Sequence, residues 1–132
     1  MQSGLIVVGS INLDLVVLAP RIPLPGENIH GREFSMVAGG KGANQAVASS
    51  RLGNATYLLG NVGSDFFGDF LLKKLEGAGI DVSMVGRAEI STGVALIVVE
   101  EGTGVNTIVV DPGANFSLRV DDLNALEECY GR

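Results

Sequence analysis

The sequence predicts an α/β fold in which helices flank a parallel sheet and a small β-layer projects from it. The first observation behind this prediction is that Val/Ile/Leu-rich runs alternate with helix-period segments, which is typical of parallel sheets with right-handed crossovers. The second is that two β-rich segments, at about 13–37 and 93–110, fall outside this alternation. A length of 132 residues is enough for one core and indicates a single domain.

The alternating part begins with an apolar strand. Leu5–Val8 is a continuous apolar run closed by Gly9, as expected of a strand that is buried on both faces. From Gly42 to Leu52 small residues recur on one side, and Gly53 supplies a stop, which predicts a helix lying close to the sheet. Further strands are predicted at 56–62 and 82–85, and further helices at 65–77, with Phe66, Phe70, Leu71 and Leu75 facing inward, and at 121–129.

The projecting layer is predicted from four extended segments. Leu13–Ala19 is β-prone, and three prolines within 20–25 exclude a helix after it, so the chain is expected to continue extended over about 28–37. The runs at 93–100 and 105–110 are separated by Glu-Gly-Thr-Gly, which predicts a β-hairpin.

Composition excludes several classes of function. The net charge of -6 argues against sequence-independent nucleic-acid binding, which needs an excess of Lys and Arg. The lone cysteine, Cys129, allows no intrachain disulfide and indicates a reducing cytoplasm. No basic region precedes the apolar start, so no signal peptide is expected, and the longest apolar run, from Leu15 to Pro20, is too short to cross a membrane.

One candidate binding segment is the glycine-rich block that leads into the first helix. Gly39, Gly40 and Gly42 let the backbone turn sharply and approach a ligand, while the free N–H groups of the helix start, Lys41 and Asn44 offer charge and hydrogen bonds. The block matches neither the Walker A pattern nor the dinucleotide fingerprint. The alternative is a glycine-rich turn that serves packing alone.

A second candidate follows the first strand. Asn12 and Asp14 alternate, so in an extended backbone both side chains point to the same face. An amide beside a carboxylate suits neighbouring hydroxyls of a sugar, and the carboxyl ends of strands are where open α/β sheets bind ligands. The alternative is a capped turn, since Asn and Asp are common in turns.

Six motifs together resemble ribokinase-type members of the PfkB family of carbohydrate kinases, in order and spacing. They are Gly-Ser-Ile-Asn-Leu-Asp at 9–14, Pro-Gly-Glu at 25–27, Gly-Gly-Lys-Gly-Ala-Asn-Gln-Ala at 39–46, Gly-Ser-Asp at 63–65 with Gly68, Ser-Thr-Gly-Val-Ala at 91–95 and Gly-Ala-Asn at 113–115. The resemblance implies a ribokinase-like fold in which the projecting layer is a lid.

The resemblance also implies a set of substrate-binding residues. Asn12 and Asp14 match positions that hydrogen-bond the sugar hydroxyls. Gly39, Gly40, Lys41 and Asn44 match the loop that wraps the sugar, and the apolar lid positions are Ala95, Ile97 and Val110. In ribokinases the lid also pairs with the lid of a second subunit, so a homodimer is expected, and the exposed edges of a β-layer give it a physical motive.

The activity that the resemblance implies is ATP-dependent phosphorylation of a sugar at its primary hydroxyl, with Mg²⁺ and K⁺ as the expected cations. The family's base is an Asp in a Gly-Ala-Gly-Asp motif that does not occur in the sequence, so we expect residues 1–132 to form the N-terminal, substrate-binding part without the catalytic base or nucleotide site. Ribose is the leading substrate, while deoxyribose, fructose and nucleosides stay open. The alternatives are a non-catalytic sugar-binding or lid-dimerisation fragment, and a structural remnant that neither binds nor folds well.

Overall fold

The computed structural model of the chain describes residues 4–130, apart from the side chains at 125 and 128–130, so the thiol of Cys129 lies outside the described part. In chain order the elements are β1 (Leu5–Val8), β2 (Asn12–Ala19), β3 (Arg32–Gly39), α1 (Lys41–Arg51), β4 (Thr56–Gly63), α2 (Phe66–Gly77), β5 (Ile80–Asp81), β6 (Val85–Ala88), β7 (Gly93–Glu100), β8 (Asn106–Asp111), a 3₁₀-helix (Gly113–Ser117) and α3 (Val120–Tyr130). None of the helices within residues 4–130 combines the length and the hydropathy that a membrane crossing requires.

The main sheet is parallel and is organised around β4. β1 pairs with one side of β4, while β5 and β6 pair with successive parts of its other side. α1 and α2 follow β3 and β4 and pack against the sheet, and the fold predicted from the alternation of strands and helices is confirmed. β4 is the most buried strand because it has neighbours on both sides and helices over it.

The core lies between the main sheet and the first two helices. It is formed by Val7, Ile11, Leu13, Ala43, Ala46, Leu58, Val62, Leu71, Leu75 and Ile80. α1 contributes only small side chains because it lies very close to the end of β1. A Cβ atom on Gly42 would stand 2.5 Å from the carbonyl carbon of Gly9, so these two segments approach through bare backbone.

α2 begins where Asp65 caps it, since the Asp65 carboxylate accepts a hydrogen bond from the Gly68 N–H at 2.8 Å. The prediction that Phe66 faces inward is wrong, because its side chain is 69% exposed. Leu71 and Leu75 are buried as predicted, and Phe70 is partly buried. The buried row therefore begins one residue later than predicted, with Phe67 four positions before Leu71.

The second sheet has the strand order β3-β2-β7-β8 and is mixed. β2 pairs antiparallel with β3 and parallel with β7, and β7 forms the predicted hairpin with β8. Where the second sheet meets the main sheet, Leu13 on β2 packs into the core and is fully buried. Farther out the sheet is open, and β8 is exposed over its whole length. The predicted projecting β-layer is therefore present as a separate sheet.

Two predicted boundaries differ from the structure. The strand predicted at 82–85 is wrong: Ile80–Asp81 and Val85–Ala88 are the strands, and a turn lies between them, closed by a hydrogen bond from the Val85 N–H to the Val82 carbonyl. The two short strands exist because each finds a free stretch of β4, which local residue preferences do not reveal. The segment predicted to extend from 28 becomes a strand only at Arg32, where pairing with β2 begins.

Candidate functional site

The candidate site lies at the carboxyl end of β1, where the chain crosses from the main sheet into the second sheet. Ser10 joins the crossing segment to the start of α1: its hydroxyl accepts a hydrogen bond from the Lys41 N–H at 3.0 Å, and its carbonyl accepts one from the Ala43 N–H at 3.1 Å. Two of the first helical amides are therefore already bonded. The prediction that the amides of the helix start are free is wrong for Lys41 and Ala43.

The glycine bend before α1 packs directly against the crossing segment. Gly40 has a φ of 95°, and a Cβ atom there would stand 2.5 Å from the Ser10 carbonyl oxygen. A Cβ atom on Gly39 would stand 2.5 Å from a carboxylate oxygen of Asp14. Both positions therefore require glycine, and the bend brings its backbone to the Asp14 carboxylate.

The register of the second sheet aligns most of the predicted site residues. Asp14 lies opposite Ala95, which in turn lies opposite Val110, so the three form a row across the sheet. Residues paired in register project to the same face, and so do residues two apart on one strand. The predicted site residues on this face are Asn12, Asp14, Ala95, Ile97 and Val110.

The exposure of these residues varies along the face. Ala95 is 5% exposed, whereas Val110 is 53% exposed near the outer edge of the sheet. Lys41 and Asn44 start α1 beside the glycine bend, and both side chains are exposed. The predicted residues thus divide into polar groups near the glycine bend and apolar groups that spread outward along the sheet.

Asp14 places a carboxylate on this face, and burial is the cause of the shift in its pKa. Burial raises the pKa of Asp14 above its ordinary value, and neither a hydrogen bond nor an ion pair offsets that shift within the described residues. A partly desolvated carboxylate without donors is poorly stabilised in the free protein. It is a strong acceptor for any ligand that brings hydroxyl groups to the face.

Asn115 organises the site, although the sequence indicated it only as part of a motif. Its side chain lies in the 3₁₀-helix after β8 and reaches back 104 residues along the chain to bond both backbone groups of Ile11, at 2.8 and 3.1 Å. It also donates a hydrogen bond to the Asn12 side-chain oxygen at 2.7 Å. The Gly-Ala-Asn spacing was the available signal, but no sequence pattern names its partners.

A second network missed by sequence reasoning fixes the start of β7. Asp65 accepts hydrogen bonds from the Thr92 N–H at 2.8 Å and from the Thr92 hydroxyl at 2.6 Å, and that hydroxyl accepts one from the Gly63 N–H at 2.8 Å. Burial acts to raise the pKa of Asp65, but the hydrogen bonds from Thr92 and Gly68 outweigh it and hold the pKa below its ordinary value. The helix cap of α2 thereby also ties the main sheet to the second sheet.

The arrangement can bind a small polar molecule by hydrogen bonds. The face offers an acceptor in Asp14 and an amide in Asn12, with apolar side chains beside them. In residues 4–130 no group of three or more His, Cys, Asp or Glu side chains is arranged to hold a metal ion.

Fold and site together define an α/β protein with an open face that carries an amide and a carboxylate at the carboxyl end of its first strand. The chain belongs to the pfkB family of carbohydrate kinases, whose family model matches residues 2–130. It is 45% identical over 132 residues to the ribokinase of Schizosaccharomyces pombe, with 95% of this chain and 41% of that protein covered. The family predicted from the motifs is confirmed.

Solved structures show the same similarity. A ribokinase from Giardia lamblia superimposes with a TM-score of 0.85 at 34% identity, over 97% of this chain and 38% of that one. The Arabidopsis thaliana ribokinase complexed with ribose and ATP gives a TM-score of 0.77 at 36% identity, over 87% of this chain and 38% of that one. The chain thus spans about two fifths of the length of the relatives it matches.

Proposed function

We propose that this chain forms the sugar-binding part of an ATP-dependent carbohydrate kinase whose substrate is ribose. The observation that carries the proposal is the donor-free, partly buried carboxylate of Asp14, on the same sheet face as Asn12 and against the glycine bend at 39–40. Two hydroxyls of one sugar can donate to such a carboxylate together. The similarity to ribokinases, one of them complexed with ribose and ATP, favours a pentose.

In the proposed reaction a new bond forms between the primary hydroxyl oxygen of ribose and the γ-phosphorus of ATP, and the bond from that phosphorus to ADP breaks. The hydroxyl proton passes to a general base. The family resemblance places that base in a Gly-Ala-Gly-Asp motif that this sequence does not contain, and it places the adenine pocket and the monovalent-cation loop outside the part that residues 1–132 match. The cytoplasm is the proposed compartment, because ATP is available there and a lone cysteine needs no disulfide partner.

The proposed roles within the chain are binding and orientation. Asn12 and Asp14 hydrogen-bond sugar hydroxyls. The polar groups of the glycine bend and helix start enclose the sugar, and the apolar part of the second sheet covers it as a lid. These two groups are Gly39, Gly40, Lys41 and Asn44 for the bend, and Ala95, Ile97 and Val110 for the lid.

Calorimetric titration of the full chain with ribose tests the proposal. We expect saturable binding that Asp14→Ala weakens by at least about tenfold, because a hydrogen bond to a charged group is lost. Asp69→Ala is the matched control, since Asp69 is exposed on α2 and pairs with Arg87 instead. Equal affinity in the wild-type and Asp14→Ala proteins contradicts the proposal, and parallel titrations with deoxyribose, fructose and adenosine rank the other substrates.

Adding ATP and Mg²⁺ to the same samples separates the kinase proposal from the non-catalytic alternative. Ribose binding without ADP formation supports a sugar-binding fragment as the role of these residues in isolation. Formation of ADP by the 132-residue chain alone would place a functional base within it. That result would contradict the assignment of the base to an absent region.

The second sheet also supports the proposed homodimer. β8 is an open edge strand, and its apolar side chains are half or more exposed on both of its faces: Val109 at 66% on one face, and Ile108 at 50% and Val110 at 53% on the face of Ala95. Pairing with a second copy would cover the edge, and contact with the face of Val109 would cover apolar surface that lies away from the proposed sugar site. Sedimentation equilibrium should show a dimer that Val109→Lys dissociates. A wild-type monomer at high concentration contradicts this part of the proposal.

A further inference from the structure

The side-chain amide of Asn115 has only one possible orientation. Its oxygen faces the Ile11 N–H, which can only donate, at 2.8 Å. Its nitrogen faces the carbonyl oxygens of Ile11 and Pro112, which can only accept, at 3.1 and 2.9 Å. Because backbone groups have fixed hydrogen-bonding character, turning the amide over would break all three bonds.

The orientation of Asn115 in turn determines that of Asn12. The nitrogen of Asn115 lies 2.7 Å from a terminal atom of the Asn12 amide, and a nitrogen carrying hydrogens requires that atom to be the oxygen. The Asn12 nitrogen therefore points away from Asn115, and the hydrogen bonds of residues 4–130 include none that it donates. Asn12 presents two N–H donors to the open face.

A glycine on β7 leaves room for the two amides to meet. A Cβ atom on Gly93 would stand 2.4 Å from the Asn115 nitrogen and 2.4 Å from the Asn12 oxygen, so any larger residue would separate them. Gly93 lies opposite Asn12 in the parallel pairing of β2 and β7. The contact between the amides therefore depends on three separate parts of the chain: the start of β2, the start of β7 and the 3₁₀-helix after β8.

We infer that Asn115 is a positioning residue that holds Asn12 as a hydrogen-bond donor. The site then forms hydrogen bonds of opposite direction with two neighbouring hydroxyls of the sugar. One hydroxyl accepts from the Asn12 nitrogen, and the other donates to the Asp14 carboxylate, which can only accept while ionised. The inference rests on the proposed sugar-binding function. It adds a source of specificity, since a ligand that lacks the accepting hydroxyl leaves the Asn12 donors unpaired.

The test compares the affinities of ribose, 2-deoxyribose and 3-deoxyribose for the full chain by calorimetry. Wild-type protein should discriminate against the analogue that lacks the Asn12 partner by about tenfold or more. Asn12→Asp keeps the acceptor for Asn115 and replaces only the outward donors, so this discrimination should disappear while folding is retained. Asn115→Asp places an acceptor against the Asn12 oxygen, which turns the Asn12 amide over, and the same discrimination should disappear.

A purely structural role of Asn115 predicts a different pattern. In that case Asn115→Asp weakens all three ligands by the same factor and leaves the discrimination at its wild-type value, which would overturn the inference. The double variant Asn12→Asp/Asn115→Asp sharpens the comparison. Our inference requires the double variant to discriminate as weakly as Asn12→Asp alone, because both changes remove the same hydrogen bond from the Asn12 nitrogen to the ligand.

Side-chain amide NMR keeps the inference testable if the proposed function fails. Should wild-type protein bind none of the three sugars, the sugar-kinase proposal fails, but the amide protons still report the orientation. We expect the Asn115 amide protons to be protected from exchange with solvent and those of Asn12 to exchange rapidly. Rapid exchange of the Asn115 protons would contradict the inference independently of any ligand.

Discussion

The main sheet and the second sheet use apolar residues in opposite ways. In the main sheet and its helices, Leu58 and Leu71 are fully buried, whereas the edge strand β1 leaves Leu5 49% and Val8 44% exposed. In the second sheet, Leu96 on β7 is 52% exposed and Val109 on β8 is 66% exposed. Burial in a core accounts for the apolar character of Leu58 and Leu71 but not for that of the outer second sheet, which the proposed lid and dimer would cover.

Two carboxylates repeat this contrast. Asp65, at the joint between the sheets, accepts three hydrogen bonds, and its pKa is held below the ordinary value despite burial. Asp14, on the open face, has no such bonds, and burial raises its pKa. A carboxylate satisfied by its own chain supports the fold, whereas one left unsatisfied is available to a ligand.

The largest expected effect comes from breaking the core of the main sheet. Leu71→Ala should lower the free energy of unfolding by about 2–5 kcal/mol, because it leaves a cavity in a fully packed region. Leu96→Ala is the matched change in the second sheet and should cost much less, since half of that side chain is already in water. Urea denaturation of both variants measures the difference, and similar losses would contradict the contrast between the two sheets.

The second largest loss of stability is expected at the Asp65–Thr92 contact, which ties the main sheet to the second sheet. Thr92→Val keeps the shape of the side chain but removes the donor to Asp65 and the acceptor of the Gly63 N–H. We expect a loss of about 1–3 kcal/mol in the free energy of unfolding, because a buried N–H is left unpaired. Thr107→Val, on exposed β8, is the control and should stay within about 0.5 kcal/mol. An unchanged midpoint for Thr92→Val would show that the joint contributes nothing.

The carboxylates of Asp65 and Asp14 should affect the pH dependence of the free energy of unfolding with opposite signs. Asp65 has a lowered pKa in the folded state, so its contribution is present above the ordinary carboxyl pKa and is lost as pH falls through the lower folded value. We expect the free energy of unfolding to fall less steeply between about pH 5 and 2 in Asp65→Asn than in the wild type. Denaturation curves over that range test the sign.

Asp14 should show the reverse sign and a smaller effect. Because its pKa is raised in the folded state, ionisation costs stability as pH rises from the ordinary pKa through the folded one. Asp14→Asn should therefore raise the free energy of unfolding at pH 7, by at most about 0.5 kcal/mol for a solvent-screened group. The same change should abolish the pH dependence that Asp14 gives to sugar binding, and a loss of stability would contradict the unsatisfied state of Asp14.

The smallest effect is expected at the rim of the second sheet. Glu101 accepts two hydrogen bonds from the guanidinium of Arg32, at 2.6 and 3.2 Å, but the pair is exposed to solvent. Glu101→Gln should leave the unfolding midpoint unchanged, because exposed ion pairs are screened by water and salt. A clear shift in the midpoint at low salt would show that the outer sheet depends on this pair.

Local sequence patterns predicted most helices and strands correctly, but they failed where pairing with a distant strand determines the structure. The hairpin of β7 and β8 follows from two β-rich runs around a Glu-Gly-Thr-Gly turn, and the cap at Asp65 follows from its position before an amphipathic run. The two short strands on either side of residues 82–84 could not be predicted, because neither is stable without the free stretches of β4 that pair with them. The orientation of Phe66 failed for a related reason, since neighbouring faces of a helix are equally apolar there until the sheet selects one.

The sequence by itself determined the family, the order of the elements and the residue types of the site, because periodicity, turn residues and motif spacing are properties of neighbouring positions. Only the tertiary structure decided which side chains meet. The amide of Asn115 reaches Ile11 and Asn12 across more than one hundred positions, and the Asp65–Thr92 contact joins an α-helix to the start of a strand. Hydrogen bonds over such separations depend on how the two sheets pack, and no local pattern encodes that packing.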